Sequence, residues 1–190
     1  MRFAVNHADH VDLLKRGVLT PGGIWADLGS GKGAFTLALA ELISPQGEIY
    51  SVDQDRAALR EQAVAMRRLF PDLKIQYLAA NFTQPLDLPP LDGIIMANAL
   101  HYQKQKVPLV KTLKGYLKPA GRFILVEYNV DQGNPWVPYP LSFSPWETLA
   151  QQCGFTSTRL LARVPSRFLK EFYSAVSDCS GRDATLPQAS

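Results

Sequence analysis

The sequence predicts an α/β fold, a doubly wound and mostly parallel sheet with helices on both faces. Short apolar runs alternate along the chain with segments of helical apolar spacing, which is typical of a parallel sheet with crossover helices. Near the carboxyl terminus two predicted strands lie too close together for a crossover helix, so an antiparallel hairpin is expected there. The composition, 190 residues with 46% apolar and 19% charged residues, fits one domain with a full core and excludes a disordered chain.

The strands are predicted from short apolar runs that are bounded by turn residues. Five precede the hairpin, and they cover residues 24–28, 48–52, 74–78, 93–98 and 122–128. The hairpin strands are expected near 155–164 and 167–176, separated only by Pro165 and Ser166. The sheet should therefore have seven strands, the last of them antiparallel.

The helices are predicted at residues 32–43, 54–69, 105–117 and 144–153, each ending close to a proline or glycine. For the last helix, Ser144 and Glu147 have the spacing of a capping box. Before the first strand, a short helix over residues 11–18 is expected, with Asn6 or Asp9 at its N-cap. The whole chain is interpreted as one domain over residues 1–176, in which residues 1–20 could form a partial lid. A flexible tail is expected at 177–190.

Charge and cysteine content exclude several classes of protein. The net charge is +3, and no dense basic stripe is present, so nucleic acid is an unlikely partner. No stretch approaches the ~20 apolar residues of a membrane span, and the amino terminus lacks the apolar core of a secretory signal. Cys153 and Cys179 have no metal-ligand spacing, which indicates reduced thiols in a cytoplasmic protein.

The sharpest local feature is the glycine loop, residues 27–33 (DLGSGKG), between the first strand and the first long helix. It is not a P-loop, because Ala26 stands where the first glycine would be and Gly33 where Ser or Thr would be. Gly29-x-Gly31-x-x-Ala34 satisfies the dinucleotide pattern formally, which keeps a nicotinamide-dependent oxidoreductase as an alternative.

Two carboxylates favour a different ligand. Asp27 stands two residues before the first glycine, where it would repel a pyrophosphate but attract an ammonium group. Asp53 ends the second strand, where a carboxylate can accept hydrogen bonds from a ribose diol. An adenosine that carries an amino-acid tail in place of phosphates satisfies both residues. S-adenosyl-L-methionine has this structure.

Four segments, WADLGSGKGAF, VDQD, ANALHY and LKPAGRFILVE, follow one another in the chain. In this order and spacing they resemble the successive motifs of class I S-adenosylmethionine-dependent methyltransferases, and the likeness covers roughly residues 20–165. The resemblance implies a Rossmann-like sheet of seven strands with an antiparallel last strand, and S-adenosyl-L-methionine as cofactor.

The resemblance also implies a set of cofactor-binding residues. The loop residues, with Asp27, would approach the methionine part of the cofactor, the carboxylate after the second strand would hold the ribose, and residues after the third strand would meet the adenine. The end of the fourth strand would pass the sulfonium. The residues so implied are Asp27, Gly29, Ser30, Gly31, Gly33, Asp53, Gln54, Asn81, Phe82, Asn98 and Ala99. Asn81 departs from the family, which commonly has an Asp there.

The acceptor side is predicted from the residues that follow the fourth and fifth strands. His101 and Tyr102 come after the fourth strand, at the edge where open α/β sheets bind ligands, and His101 is the first candidate for a general base. An alternative is that His101 only shapes the pocket. Trp136, Tyr139 and Phe143 lie in the loop over residues 130–143 and could bind a planar or cationic acceptor, or merely pack the loop.

The function predicted from the sequence is transfer of a methyl group from S-adenosylmethionine to a small-molecule acceptor by in-line displacement. Three alternatives remain: the same fold acting on RNA or protein, the nicotinamide-dependent oxidoreductase, and a binding protein that has lost catalysis. No metal is expected, because the histidines of the segment NHADH lack an accompanying carboxylate cluster.

Overall fold

The computed structural model describes residues 6–166 and 168–181. Its centre is one sheet of seven strands in the order β3-β2-β1-β4-β5-β7-β6. The strands are β1 (Gly23–Leu28), β2 (Gly47–Asp53), β3 (Lys74–Ala79), β4 (Leu91–Ala97), β5 (Leu117–Tyr128), β6 (Ser157–Pro165) and β7 (Glu171–Asp178). Because only β7 runs against its neighbours, the predicted fold class is confirmed.

In the described part of the chain, four helices and one 3₁₀ turn connect the strands, and a fifth helix precedes β1. The helices are α1 (His7–Leu14), α2 (Ala34–Ile43), α3 (Arg56–Leu69), α4 (Lys106–Lys114) and α5 (Phe143–Gln152), and the 3₁₀ turn is Leu100–Tyr102. The strand order reverses between β1 and β4, which are neighbours in the sheet although two strands separate them in sequence. In open α/β sheets ligands bind outside the carboxyl ends of the strands at such a point.

The core has two layers, one on each face of the sheet, because side chains alternate along the strands. Ile95 and Ile124 face the layer that includes α1 and α2. Ile94 and Phe123, one residue earlier on the same strands, face the layer that includes α4 and α5. All four side chains are fully buried, so the edge of the sheet that bears the site rests on a rigid support.

The structure corrects the expected beginnings of α2 and α5. α2 begins at Ala34, because Gly33 is in the left-handed conformation with φ 85°. α5 begins at Phe143 with Ser142 at its N-cap, and no side chain caps it. The capping box predicted for Ser144 and Glu147 is therefore wrong, because the helix already includes Ser144.

The hairpin is antiparallel as predicted, but its connection is longer. β7 begins at Glu171 rather than at residue 167, so the turn takes up the segment that includes Phe168. Since β6 runs parallel to β5, the carboxyl end of β6 and this turn lie at the same edge of the sheet as the glycine loop. Phe168 thereby becomes available to the site.

The segment before β1 forms α1 over His7–Leu14 rather than over the predicted residues 11–18, because Asn6 caps the helix in a capping box with Asp9. The helix packs against α2 and β6, and His10 contacts the ring of Phe35 at 4.6 Å between centroids. A partial lid over the cofactor stays a prediction. Of the predicted tail, Ser177 and Asp178 belong to β7, and residues 182–190 lie outside the described part. No helix in the described residues is long and apolar enough to cross a membrane.

Candidate active site

The glycine loop donates its amide hydrogens to the protein itself. The N–H groups of Gly29 and Ser30 both donate to the carbonyl oxygen of Val52, at 2.9 and 3.1 Å. The N–H of Gly31 donates to Oδ2 of Asp53 at 2.7 Å, and that of Gly33 to the carbonyl oxygen of Ser30 at 2.9 Å. These four amides are not free to cradle a phosphate, which agrees with the exclusion of a P-loop.

Two glycines of the loop have opposite surroundings: Gly29 is tightly packed, and Gly31 faces open space. A Cβ on Gly29 would lie 2.7 Å from Cβ of Ala99 and 3.3 Å from the ring of Phe82. A Cβ on Gly31 would meet nothing within 4 Å, so that glycine faces open space in a left-handed conformation, φ 52°. The loop thus lies against the end of β4 at Gly29 and exposes bare backbone to a ligand at Gly31.

A buried polar network supports the loop from below. Thr36 on α2 donates to Oδ2 of Asp27, and Nε2 of Gln62 on α3 donates to Oγ1 of Thr36 at 2.8 Å. Ser51 on β2 is 2.6 Å from Oε1 of Gln62 and 2.8 Å from Oγ of Ser30. Side chains from two strands, two helices and the loop are therefore joined. The sequence gives no signal for Gln62 and Thr36 beyond their positions on predicted helices.

Asp27 is nearly inaccessible, at 1% exposure. Burial raises the pKa of its carboxyl to about 7, with a smaller contribution from the negative charge of Asp53, while the hydrogen bond from Thr36 opposes the rise. A buried carboxylate without a cationic partner is unfavourable. An ammonium group beside the loop would supply that partner.

Asp53 lies at the end of β2, next to the glycine loop. Its Oδ2 accepts from Gly31 and its Oδ1 from the backbone N–H of Asp55 at 2.8 Å. A carboxylate has about four acceptor positions, so each oxygen can accept a further hydrogen bond from a ribose hydroxyl. Asp53 is half-buried and the following Gln54 is exposed, which suits a ligand that runs from the loop out to the surface.

Of the two residues predicted after β3 to meet the adenine, one is half-buried and the other is exposed. Phe82 is half-buried against the glycine loop, beside Gly29. Asn81 is exposed, and its Oδ1 accepts from the backbone N–H and the hydroxyl of Thr83 at 3.0 and 2.9 Å. An aromatic ring is therefore available for an adenine, whereas the oxygen of Asn81 is already engaged in a local turn.

Beyond β4 lies a cavity of about 300 Å³. Its lining residues are Asn98, His101, Tyr102, Tyr128, Trp136, Val137 and Phe168. Asn98 is in a left-handed conformation, φ 53°, and its buried Oδ1 has no partner among the described residues. The next residue, Ala99, lies against Gly29, so the cavity and the glycine loop are neighbours at the end of β4.

His101 is held by a residue that the sequence analysis missed, Glu127 at the end of β5. The two carboxylate oxygens accept from the backbone N–H of His101 at 3.1 Å and from its ring Nδ1 at 2.8 Å. Since the carboxylate accepts, Nδ1 donates, and the neutral imidazole keeps its lone pair on Nε2. That Nε2 is buried and has no hydrogen-bond partner among the described residues.

Of the three aromatic residues predicted on the acceptor side, only Trp136 lines the cavity. Phe143 is the first residue of α5 and packs on Tyr173 at 6.0 Å between centroids. The N–H of Tyr139 donates to the carbonyl oxygen of His101, and its ring faces Nζ of Lys106. The structure thus does not bring Tyr139 and Phe143 to the cavity, because they fasten the loop to the domain. Tyr128 and Phe168 line it instead.

Lys106 is buried, at 8% exposure. Its Nζ donates to the carbonyl oxygens of Gln103 and Tyr139, both at 2.7 Å. Burial lowers the pKa of Lys106, and the negative charge of Glu127 opposes this. The hydroxyl of Tyr173 donates to the carbonyl oxygen of Leu141 at 2.9 Å. The loop before α5 is therefore anchored at both of these points.

The edge of the sheet fits S-adenosylmethionine in three respects. The buried carboxylate of Asp27 would be stabilised by a cation, and the carboxylate of Asp53 has free acceptor positions. The backbone at Gly31 faces open space. With the reversed strand of its sheet, the protein is a class I S-adenosylmethionine-dependent methyltransferase. A family model described as a methyltransferase domain matches residues 19–164, so the chain belongs to that family.

Solved structures share the fold at low sequence identity. YcgJ from Bacillus subtilis superposes with a TM-score of 0.74 at 13% identity, over 92% of this chain and 99% of that one. A SAM-dependent methyltransferase from Aquifex aeolicus gives 0.70 at 19%, over 90% and 89%. The 1,6-didemethyltoxoflavin-N1-methyltransferase from Burkholderia thailandensis, with its substrate and S-adenosylhomocysteine bound, gives 0.72 at 14%, over 92% and 78%. No curated protein matches the sequence.

The two histidines of α1 contact neighbouring side chains. His7 forms a 2.6 Å contact with Glu41 on α2, and His10 packs on Phe35. Within residues 6–166 and 168–181, no three His, Cys, Asp or Glu side chains are grouped so that they could hold a metal ion.

Proposed function

We propose that the protein methylates a small molecule that binds in the cavity beyond β4, with His101 as the general base. The observation that carries the proposal is the unpartnered Nε2 of His101, whose lone pair is fixed by Glu127. The cofactor, when bound, supplies a methyl carbon that is already activated by the sulfonium and that the acceptor takes up by in-line displacement. The protein then has to align the acceptor and remove its proton.

The cofactor residues divide the binding among them. Asp27 pairs with the ammonium group, and the backbone at Gly31 lets the methionine part approach. Asp53 accepts hydrogen bonds from the ribose, while Gln54, Asn81 and Phe82 lie on the adenine side. Asn98 and Ala99 border the point at which the cofactor side and the cavity meet. This division is supported by the depth of Asp27, the open face of Gly31 and the free acceptor positions of Asp53.

Glu127 is a positioning residue in this proposal. By accepting from both N–H groups of His101 it fixes the ring orientation and the tautomer, and it stabilises the imidazolium that forms when Nε2 takes a proton. Both carboxylate oxygens are used by His101. A substrate therefore cannot take the place of His101 on Glu127 without breaking the hydrogen bonds between these two residues.

In this proposal the ring of Tyr102 covers the imidazole of His101. Its ring packs on the imidazole at 4.3 Å between centroids, yet the side chain is largely exposed, so it can turn away without disturbing the core. Tyr102→Ala should therefore speed acylation of His101 by diethyl pyrocarbonate severalfold, and His7, which is already exposed, should react at an unchanged rate. Equal His101 reactivity in both proteins would remove this role.

Calorimetric titration with S-adenosylhomocysteine and, separately, with NADH tests the proposal. Binding of the thioether alone is expected. Binding of NADH alone would favour the oxidoreductase, and binding of neither would leave the fold without this function. His101→Ala should keep S-adenosylhomocysteine affinity and lower turnover about 10²–10⁴-fold, measured as thioether release with a set of phenols, amines and thiols. His7→Ala is the matched control.

An RNA acceptor is the second candidate, because the cavity is open to the surface. The observation in its favour is limited to lysines near the site, and Lys106 is buried as an anchor rather than exposed. Salt-dependent retention of RNA by the protein would support that acceptor. The small net charge favours the small molecule.

A further inference from the structure

Three exposed aromatic rings converge on the cavity beyond β4. Tyr102, Trp136 and Phe168 are 58%, 69% and 50% exposed, respectively, and all three line this one cavity. Clustered exposed apolar side chains of this size mark a binding surface. They come from the 3₁₀ turn, the loop before α5 and the hairpin turn, three segments that are far apart in the chain.

The rings form a continuous wall that leads to the base. Trp136 and Phe168 meet edge to face at 6.1 Å between centroids, with 86° between their planes. Phe168 in turn meets Tyr128 at 5.9 Å, and Tyr128 lies 6.1 Å from the imidazole of His101. We call Tyr102, Tyr128, Trp136 and Phe168 the aromatic wall. A flat ring stacked against it would have its edge at His101.

The charges around the cavity favour a neutral acceptor over a charged one. Aromatic rings alone attract cations, and a carboxylate beside them would strengthen that attraction. The carboxylate near the wall is Glu127, which is fully buried, with both oxygens accepting from His101. None of the described lining residues is Lys, Arg, Asp or Glu, so an anion has no partner in the lining either.

Resting on the proposed function, we infer that the acceptor is a neutral, planar aromatic molecule of one or two rings with an acidic O–H or ring N–H. The cavity volume, about 300 Å³, is at the lower end for small-molecule sites and sets the size. The unpartnered Nε2 of His101 requires the acidic hydrogen, and the aromatic wall requires the plane.

The step balances in atoms and electrons. The acceptor's O–H or N–H bond breaks, and its proton goes to Nε2 of His101. The pair that remains on oxygen or nitrogen forms the bond to the methyl carbon. The carbon–sulfur bond breaks with its pair on sulfur, which leaves a neutral thioether. The imidazolium, stabilised by Glu127, later returns the proton to solvent.

The test uses the protein saturated with S-adenosylhomocysteine and three probes. They are 7-hydroxycoumarin, 7-methoxycoumarin and benzyltrimethylammonium, titrated by calorimetry and by absorbance. Both coumarins should bind, and only 7-hydroxycoumarin should show the longer-wavelength absorbance of its anion. His101→Ala should keep coumarin binding but lose that absorbance. Benzyltrimethylammonium should not bind.

Single-residue variants test whether the coumarins bind at the aromatic wall. Trp136→Ala and Phe168→Ala should each weaken coumarin binding about tenfold, because each removes a stacking surface. Val64→Ala is the matched control, since Val64 is an exposed apolar residue on α3 away from the cavity. Thioether binding without any coumarin binding would overturn the acceptor class and leave the proposed function intact. Stronger binding of the ammonium probe would also overturn it, whereas loss of thioether binding would refute the proposed function itself.

Discussion

The backbone N–H of Gly31 donates a 2.7 Å hydrogen bond to Oδ2 of Asp53, so the middle of the glycine loop is tied to the end of β2. The bond explains why a carboxylate 22 positions later in the chain belongs to the same site as the loop. It restrains the orientation of the carboxylate, and it fixes the turn at which the loop exposes bare backbone.

Asp53→Ala should lower the affinity for S-adenosylhomocysteine about 10- to 150-fold. The loss corresponds to ~1.5–3 kcal/mol for a charge-assisted hydrogen bond, and the freed loop adds to it. Calorimetry measures the change. Asp55→Ala is the control, because Asp55 caps α3 through the N–H groups of Ala57 and Ala58. It should lower stability by ~1 kcal/mol and leave thioether affinity alone. Equal affinity losses in both variants would contradict the assignment.

Asp27 should make stability depend on pH. Burial raises its pKa to about 7, above the 3.8 of the free side chain, so the folded state holds the proton more tightly. This contribution is complete below pH ~4 and is lost as the pH rises through about 7, with a total of ~4 kcal/mol. Asp27→Asn stays neutral and should abolish that decline.

Urea unfolding of wild type and Asp27→Asn at several pH values between 5 and 8 measures the difference. Asp55→Asn should decline like the wild type, because hydrogen bonds from Ala58 and Ala57 lower the pKa of Asp55 below this range. Parallel curves for wild type and Asp27→Asn would refute the elevated pKa. In the wild type, thioether binding should also release a proton below pH ~7, since the ammonium group favours the ionised carboxylate.

Glu127→Gln should leave the fold intact and disturb the base. A glutamine offers one acceptor oxygen to the two N–H donors of His101, so the ring should lose its fixed tautomer. Turnover should fall about 10²–10⁴-fold, and the pH profile of the rate should shift, while thioether affinity stays the same. The chain has only three histidines, which makes ¹⁵N spectra of the labelled imidazoles easy to assign. An unchanged Nε2 resonance of His101 would refute the positioning role.

Gly33→Ala should destabilise the network below the loop. Gly33 has φ 85°, and a Cβ there would lie 2.3 Å from Nε2 of Gln62. Backbone strain costs ~1–2 kcal/mol, and displaced hydrogen bonds of Gln62 add to it. The double variant Gly33→Ala/Gln62→Ala should be less destabilised than the sum of its single variants. Urea unfolding measures the coupling, and strict additivity would contradict the clash.

Gly31→Ala is the matched control for Gly33→Ala. Its Cβ would meet nothing within 4 Å, so only the strain of φ 52° remains. The variant should therefore lose less stability than Gly33→Ala but bind S-adenosylhomocysteine more weakly, because the methyl group stands where the ligand approaches. Thioether affinity equal to that of the wild type would mean that the ligand passes elsewhere.

Local patterns predict the proposed cofactor half of the site. The glycine loop, Asp27 and Asp53 are recognisable because a tight turn and a strand end leave contiguous signatures in the sequence. The acceptor half depends on residues that topology brings together. Glu127 reaches His101 because β5 lies beside β4, and Phe168 reaches Trp136 because the hairpin turn is longer than the predicted Pro165 and Ser166.

A signal for Glu127 was nevertheless present. It is the one charged residue within the apolar run of residues 123–128, at the end of a strand that pairs with a neighbour on each side. A charge that is buried in such a position needs a partner, and the ring that follows β4 is the polar group within reach. Gln62 gave no such signal, because a glutamine on an amphipathic helix is ordinary on either face.

The reversal of strand order between β1 and β4 divides the sheet into two parts that can change separately in evolution. The residues proposed to hold the cofactor's ammonium and ribose lie on the β1–β3 side, whereas the aromatic wall belongs to the end of β5 and to segments that follow β4, β5 and β6. Changes in the hairpin turn can therefore alter acceptor choice without touching the glycine loop. Such separation makes the acceptor side evolvable at small cost, and it makes the hairpin turn the first segment to exchange in engineering new specificities.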